Sequence, residues 1–318
     1  MRITMPKLSV IVCTFNRADS IKDLLNCLAS QDIKEAFEVI VVDNNSKDTT
    51  RQVVASFELG FNGRLRYFFE PKQGKPYALN LGVKEAKGEI LVFTDDDCLV
   101  DKNYLSIIYK AFQKDGNEIG LVGGRITPHW VDGNQPPKWF DEIKSDSELK
   151  TYFNGPLGTL DYGDKPFVID FSKETHKDGH FYGANISIRK EFLDKFGYYD
   201  TQKTLGQDTE ICLRLFRAGV KGIYVPENNV HHKVSAQKIT PRFYYRWFYL
   251  RGIYRESNLG LVKKFFYPFG IPTWFIRQTI VMYLKSFLKK DQLSRIYARC
   301  LVFRNLGEMR SLMRRHNA

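Results

Sequence analysis

Three consecutive carboxylates, Asp95, Asp96 and Asp97, follow an apolar run directly in ILVFTDDDCLV, Ile90 to Val100. Adjacent carboxylates repel one another, and a divalent cation offsets that repulsion. Mg2+ and Mn2+ suit such oxygen ligands and complete their shells with water and phosphate oxygens. A solvated loop with an aspartate helix cap is the plain alternative for the same residues. His231 and His232 follow a later strand-like run and add an imidazole to the ligand set. Asp95, Asp96, Asp97, His231 and His232 are therefore all open as metal ligands. A separate acid, Asp208, follows Gly206 and Gln207 at the head of GQDTEICLRLFRAG, with Glu210 close behind. Either acid also suits the first turn of an ordinary helix.

Other polar groups stand at the ends of apolar runs. TFNR supplies Thr14, Asn16 and Arg17; DNNS supplies Asp43, Asn44, Asn45 and Ser46. Asp43 comes directly after EVIVV, where a carboxylate can accept from a base N–H or a ribose hydroxyl. In PKQGKPYALNLG, Gly74 precedes a helical pattern and Lys75 opens it. A helix N-terminus with a lysine is an anion site suited to a diphosphate. The spacing is neither GxGxxG nor a P-loop, which counts against a dinucleotide dehydrogenase and a Walker NTPase.

These groups need elements to hold them. LSVIVC, FEVIVVD, LRYFFE and EILVFTD read as short buried strands. Between them, SIKDLLNCLAS places Ile21, Leu24, Leu25 and Leu28 on one helical face, with Asp19 or Ser20 as N-cap. SKDTTRQVVASF and GKPYALNLGVKEAKG are the next helices, the latter closed by Gly88, and NYLSIIYKAFQ follows the fourth strand. The alternation predicts an α/β fold with a mostly parallel sheet and helices on both faces. Ligands in such sheets sit at the carboxyl ends of the strands, where TFNR, DNNS and TDDD all fall. From Pro128 to His180 the pattern becomes irregular. It resumes in YGANISIRKEFLDKFG as strand then helix, and VKGIYVPENNVHHKV alternates like a strand.

The chain has 318 residues, 43% of them hydrophobic, enough for one large domain or for one domain plus an appendage. Its five cysteines show no zinc or CxxC spacing, which points to reduced thiols in the cytoplasm. The first apolar run reads as a strand and not as a leader. The net charge is +12, but residues 241–318 alone hold 16 Lys and Arg against 3 acids. There the basic side chains alternate with Trp, Tyr and Phe. Phe265 to Leu284 carries one charge, Arg277, and is broken by Pro268 and Pro272. It is a poor membrane span and a better interfacial anchor on an anionic surface. Nucleic-acid binding is the rival reading of a basic, aromatic segment, and the apolar density argues against it. Extra helices packed on the domain are the plain alternative.

Five blocks in order, SVIVCTFNR, VIVVDNNSKDTT, GKPYALNLGVKEAKGEILVFTDDDC, GANISIRKEFLDKFGYYD and GQDTEICLRLFRAG, resemble the inverting family-2 glycosyltransferases of GT-A fold. The resemblance spans roughly Lys7 to Val234. It implies a nucleotide pocket lined by Thr14, Asn16, Arg17, Asn45 and Lys75, with Asp43 on the base. It matches TDDDC to the DxD motif, Asp95 toward ribose and Asp97 on the metal, with Asp96 a rival for either place. It puts Gly183, Ala184 and Asn185 beside the donor sugar and acceptor. Relatives commonly carry Glu-Asp where this chain has Gln207-Asp208, so the catalytic base carries over to Asp208 without its glutamate neighbour. The implied division is a glycosyltransferase domain over residues 1–240, in halves 1–127 and 128–240, then a basic helical region 241–318. The implied enzyme uses Mn2+ or Mg2+ and moves a hexosyl or N-acetylhexosaminyl group, expected from UDP, onto an acceptor. The expected acceptor is a glycan or lipid-linked glycan of cell-surface polysaccharide synthesis, met at the inner face of the cytoplasmic membrane. No nucleic-acid partner is expected. A catalytically silent sugar-nucleotide or glycan-binding protein is the alternative.

Overall fold

The structure, a computed structural model, describes residues 5–114, 118–131, 133, 135, 155–173, 179–203, 205–254, 271 and 273–316. The apolar runs of the first hundred residues form β1 (Leu8–Thr14), β2 (Phe37–Asp43), β3 (Leu65–Phe69) and β4 (Ile90–Asp95). All pair in parallel, in the order β3-β2-β1-β4. Every residue of β2 is buried, as expected where helices cover both faces. The crossovers are α1 (Ala18–Ala29), α2 (Thr50–Ser56) and α3 (Lys75–Glu85). Ile21, Leu24, Leu25 and Leu28 of α1 are buried, the helical period read from the sequence. In register, Thr14 lies beside Asp43 and Cys13 beside Asp95, so three loops leave the sheet at one level.

The second half of the sheet is antiparallel. It holds β5 (Cys98–Val100), β6 (Ile119–Trp130), β7 (Phe167–Ile169), β8 (Ile186–Arg189) and β9 (Lys221–Val234). The full order is β3-β2-β1-β4-β8-β6-β9-β5, with β7 paired to β9. Helices α4 (Tyr104–Lys114), α5 (Lys190–Phe196) and α6 (Gln207–Arg217) complete this part. The architecture is α/β, a mixed sheet with helices, and a C-terminal helical segment follows.

Three local expectations are corrected. Helix α1 is capped by Arg17 and not by Asp19 or Ser20; the free Ala18 N–H donates instead to Asp48 Oδ2 at 3.2 Å, a cap borrowed from the next loop. Helix α3 ends at Glu85. Gly88 serves a close approach, since a Cβ there would lie 2.7 Å from the β1 backbone. The strand β6 runs through Pro128 to Trp130, so regular structure extends into the stretch expected to be irregular. Of that stretch, residues 132, 134, 136–154 and 174–178 lie outside the described residues.

The chain forms two compact units, Met1–His129 with Gly158–Lys233, and Trp130–Leu157 with Val234–Ala318. The second contains α7 (Pro241–Tyr254), α8 (Thr273–Ser286) and α9 (Gln292–His316). Tyr244 and Phe248 of α7 share a core with Leu293, Ile296 and Cys300 of α9. The two helices cross on glycines: a Cβ on Gly252 would stand 2.0 Å from the Arg304 carbonyl oxygen, and one on Gly307 2.0 Å from that of Tyr249. Helix α8 packs on α9 through Phe275 and Met309, and Asn305 Nδ2 donates to Thr279 Oγ1 at 3.1 Å. Of the apolar stretch from Phe265 to Leu284, residues 265–270 and 272, with both its prolines, lie outside the described residues. Among the described residues no helix is long and apolar enough to cross a membrane.

Candidate active site

The site is assembled where β1, β2 and β4 end. Asp43, the last residue of β2, is 2% exposed. Its Oδ1 accepts from the Ser46 N–H and its Oδ2 from the Tyr67 hydroxyl, each at 2.8 Å. Burial, reinforced by this carboxylate, raises the Tyr67 phenol above its ordinary pKa, which keeps it a donor. Asn44 ties the same loop to the turn before α3: its Nδ2 donates to the carbonyls of Glu70 and Lys72, and its Oδ1 accepts from the Gly74 N–H at 2.8 Å. Thr14, buried at the end of β1, accepts the Asn44 N–H on its carbonyl at 2.8 Å. Asn16 and Asn45 adopt left-handed φ of 51° and 69°, a region asparagine tolerates. Asn16 accepts the Lys47 N–H and its own N–H donates to Ser46 Oγ, so it clasps the two loops together.

Gly74 has φ of 137°, which delivers Lys75 to the head of α3. The Lys75 ammonium donates to Asp95 Oδ1 at 2.5 Å. Burial opposes its charge, but Asp95 outweighs burial and holds the ammonium above its ordinary pKa, with Asp208 adding in the same direction.

The three aspartates divide. Arg17 Nη1 donates to Asp96 Oδ1 at 2.9 Å and to Asp97 Oδ2 at 2.8 Å. The other oxygen of Asp97, Oδ1, lies 3.2 Å from His232 Nε2. Asp95, Asp97 and His232 each offer one ligand atom, all within 4.8 Å of one another. Strand β9 brings the histidine: paired antiparallel to β5, it sets His232 opposite Cys98, and the Lys233 N–H donates to the Asp97 carbonyl at 2.8 Å. His231 lies elsewhere, its Nδ1 3.0 Å from Thr127 Oγ1. Two carboxylates and an imidazole could hold a divalent metal ion. Among the described residues the buried Nδ1 of His232 has no hydrogen-bond partner, while Asp97 faces Nε2. The neighbouring thiols compete poorly for a metal: burial pushes Cys13 up to about 12 and raises Cys98 well above its ordinary value. Sequence reasoning listed Asp96 among the ligands and Asp95 toward ribose; the geometry gathers Asp95 and leaves Asp96 on Arg17. Burial pushes the Asp96 carboxyl up to about 6, with Arg17 opposing and Asp97 reinforcing the rise.

Asp208 sits in the first turn of α6, behind a left-handed Gly206. Its Oδ2 accepts from the Gly183 N–H at 3.0 Å, and its Oδ1 from the Thr209 N–H at 2.8 Å. A Cβ on Gly183 would lie 3.9 Å from both Asp208 Oδ2 and Lys75 Nζ, so acid, lysine and glycine share one small space. Glu210 is not there; Arg214 Nε holds it at 2.8 Å in an i,i+4 pair. Asn185 is corrected too. Its side chain is 0% exposed, donating to the carbonyls of Arg125 and Asn228 and accepting from Asn228 Nδ2, so it ties strands together inside the sheet. Ala184 is buried beside it, which leaves the Gly183 backbone as the part of that block nearest the acid. Sequence reasoning missed the site roles of Tyr67 and Asn44. The polar tip on the only tyrosine in LRYFFE, and the doubled asparagine after Asp43, were the available signals.

Comparison with known proteins gives a family and a fold. The family model described as Glycosyl transferase family 2 matches residues 9–197. Glycosyltransferase AglE of Haloferax volcanii is 31% identical over 144 residues, 45% of this chain and 47% of the relative. The GalNAc(5)-diNAcBac-PP-undecaprenol beta-1,3-glucosyltransferase of Campylobacter jejuni is 42% identical over 95 residues, 29% of this chain and 30% of the relative. The chain thus spans about half the length of the first and under a third of the second. Among solved structures, TarS 1-349 of S. aureus in complex with UDP superposes with a TM-score of 0.56 at 18% identity, over 98% of this chain and 92% of that one. The mannosyltransferase PcManGT of Pyrobaculum calidifontis, in complex with GDP-Man and Mn2+, gives 0.51 at 19% identity, over 98% and 74%. These likenesses are of fold.

Proposed function

The chain belongs to glycosyl transferase family 2, and from that premise we propose that it moves a hexosyl or N-acetylhexosaminyl group from a UDP-sugar to an acceptor hydroxyl, with inversion. The acceptor in this reading is a lipid-linked glycan of cell-surface polysaccharide synthesis, met at the inner face of the cytoplasmic membrane. The observation that carries it is the convergence at one sheet edge of Asp95, Asp97 and His232 with Lys75 beside Asp208.

Each residue has a task. Asp43 receives the uracil N–H: a carboxylate offers about four lone-pair sites, and Ser46 and Tyr67 each take one. Lys75, between Asp95 and Asp208, sets a positive charge where the diphosphate lies, at the head of α3. Asp95, Asp97 and His232 would hold a Mn2+ or Mg2+ ion. Bound there, such an ion neutralises charge that builds on the departing nucleoside diphosphate. Asp208 takes the proton of the acceptor hydroxyl at Oδ2 as that oxygen attacks the anomeric carbon. The Gly183 N–H keeps Oδ2 aimed, and with no side chain Gly183 leaves room for a sugar. One displacement, with the base opposite the leaving group, inverts the centre.

A screen of nucleotide sugars for hydrolysis and thermal shift, with and without Mn2+, tests this. UDP with Mn2+ should stabilise the protein, and Asp97→Ala should abolish that shift. Asp208→Asn should keep the shift and lose about 10²-fold or more in turnover. A UDP shift with no turnover of any sugar nucleotide would identify a silent binding protein. No response to any divalent ion would remove the metal from the reading.

A further inference from the structure

Helix α8 buries one face and leaves the opposite one bare. Phe275, Thr279 and Ser286 point inward. Trp274, Ile280, Val281 and Leu284, continued by Phe287 and Leu288 just past the helix, are between 40% and 81% exposed. A side chain recurring every three or four residues shares a helix face, so Ile280, Val281, Leu284, Phe287 and Leu288 form a continuous apolar band, with Arg277 between it and Trp274. Isolated exposed apolar residues are ordinary, whereas a contiguous band marks an interaction surface.

The charges beside the band choose its partner. Arg277, Lys285, Lys289 and Lys290 are exposed along it, and Asp291 is the sole acid between Thr273 and Gln292. Asp291 is engaged in capping α9, its Oδ1 accepting from the Ser294 N–H at 2.6 Å. An apolar band with a purely cationic border is complementary to a lipid surface bearing anionic headgroups. It is poorly suited to a second copy, because a two-fold contact would face Arg277 and the lysines against their own equivalents. At about 1.5 Å per residue, the 14-residue helix reaches roughly 21 Å, short of a hydrocarbon core of about 30 Å. It can lie along a leaflet and cannot cross one.

We propose that the outward face of α8 is the surface on which this protein seats on an anionic leaflet. Trp274, Ile280, Val281, Leu284, Phe287 and Leu288 enter the acyl boundary while Lys285, Lys289 and Lys290 meet lipid phosphates. The proposal supplies the membrane contact that the lipid-linked acceptor reading requires, and rests on that reading only for its purpose.

Flotation of the full chain with vesicles of phosphatidylglycerol and phosphatidylcholine, against vesicles of phosphatidylcholine alone, tests it. The wild type should float with the anionic vesicles and much less with the neutral ones. The triple change Ile280→Glu, Leu284→Glu, Leu288→Glu should weaken flotation by at least about tenfold. The change Lys285→Gln, Lys289→Gln, Lys290→Gln should remove the preference for anionic lipid. All replaced residues are exposed, and unchanged circular dichroism confirms folding. Equal flotation of wild type and the glutamate variant overturns the proposal. So does a dimer in light scattering that the same variant disperses, which would assign the band to a second copy. Hydrolysis of the UDP-sugar without vesicles should be the same in all three proteins. Its absence from all three, with flotation intact, would fault the transferase reading and leave the surface standing.

Discussion

Asp95, Asp96 and Asp97 are identical in type and adjacent in sequence, yet each meets a different neighbour: Lys75, Arg17, and Arg17 with His232. Their chemistry is set by those neighbours. Asp96 has the clearest consequence for pH. Burial raises its folded value to about 6 from an ordinary 3.8, so the folded protein holds that proton more tightly than the unfolded chain. The resulting contribution to stability is complete below about pH 4 and is lost as pH rises through about 6. Asp96→Asn carries no such charge. In metal-free protein, the stability of Asp96→Asn relative to wild type should therefore improve by roughly 1–3 kcal/mol from about pH 4 to about pH 7. Urea melts at several pH values measure this, and a flat difference would show that Asp96 does not titrate in that window. At this scale the sequence disclosed the acids and bases but not their partners. Arg17 is 79 and 80 residues from the aspartates it bridges, and His232 lies farther still from Asp97. Only pairing across the sheet brings them together.

The elements were legible to different depths. Continuous apolar runs and one-face helical spacing made β1 to β4 and α1 to α4 readable, since burial on both faces of a parallel sheet writes itself into composition. The antiparallel order of β5 to β9 was not, because it depends on which edges remain free after the first four strands pair. Helix caps misled as well: α1 takes its cap from Asp48, 30 residues away. Gly74 was read correctly as the entry to α3, and the structure adds the reason. Its φ of 137° is open to glycine, and a Cβ would come within 3.1 Å of the Tyr77 ring. Gly74→Ala should cost about 1–3 kcal/mol and shift Lys75 from Asp95. Thermal unfolding checks the first effect. A smaller stabilisation by UDP with Mn2+ than the wild type shows checks the second, because Lys75 is the positive charge at the head of α3.

At the scale of the molecule, one hydrophobic core from Leu8 to Val230 underlies the first compact unit, and two clusters, one on α7 and α9 and one between α8 and α9, underlie the second. The charge step at Pro241 was visible in the sequence. The glycine crossing of α7 and α9 was not, because Gly252 and Gly307 are 55 positions apart and each looks like a weak point in a helix. Their missing side chains let the backbones touch. Gly307→Ala places a Cβ 2.0 Å from the Tyr249 carbonyl, a backbone atom that cannot turn aside. That substitution should lower the second unit by about 2–4 kcal/mol, seen as an early loss of helical circular dichroism. UDP with Mn2+ should still raise the melting of the remaining transition. A single unshifted transition would show that the crossing tolerates the methyl.

Strand β9 buries every second residue along its whole length, and His232 falls on the buried set while His231 does not. The site therefore obeys a rule of parity. Inserting one residue between the β9 core and His231 would exchange the roles of two identical neighbours, presenting His231 to Asp97 with the surrounding pattern inverted. Inserting two ahead of Val230 would restore the alternation but present Val230 to Asp97. A single insertion should therefore keep a histidine at the site and disturb the core, whereas a double insertion should keep the strand and lose the histidine.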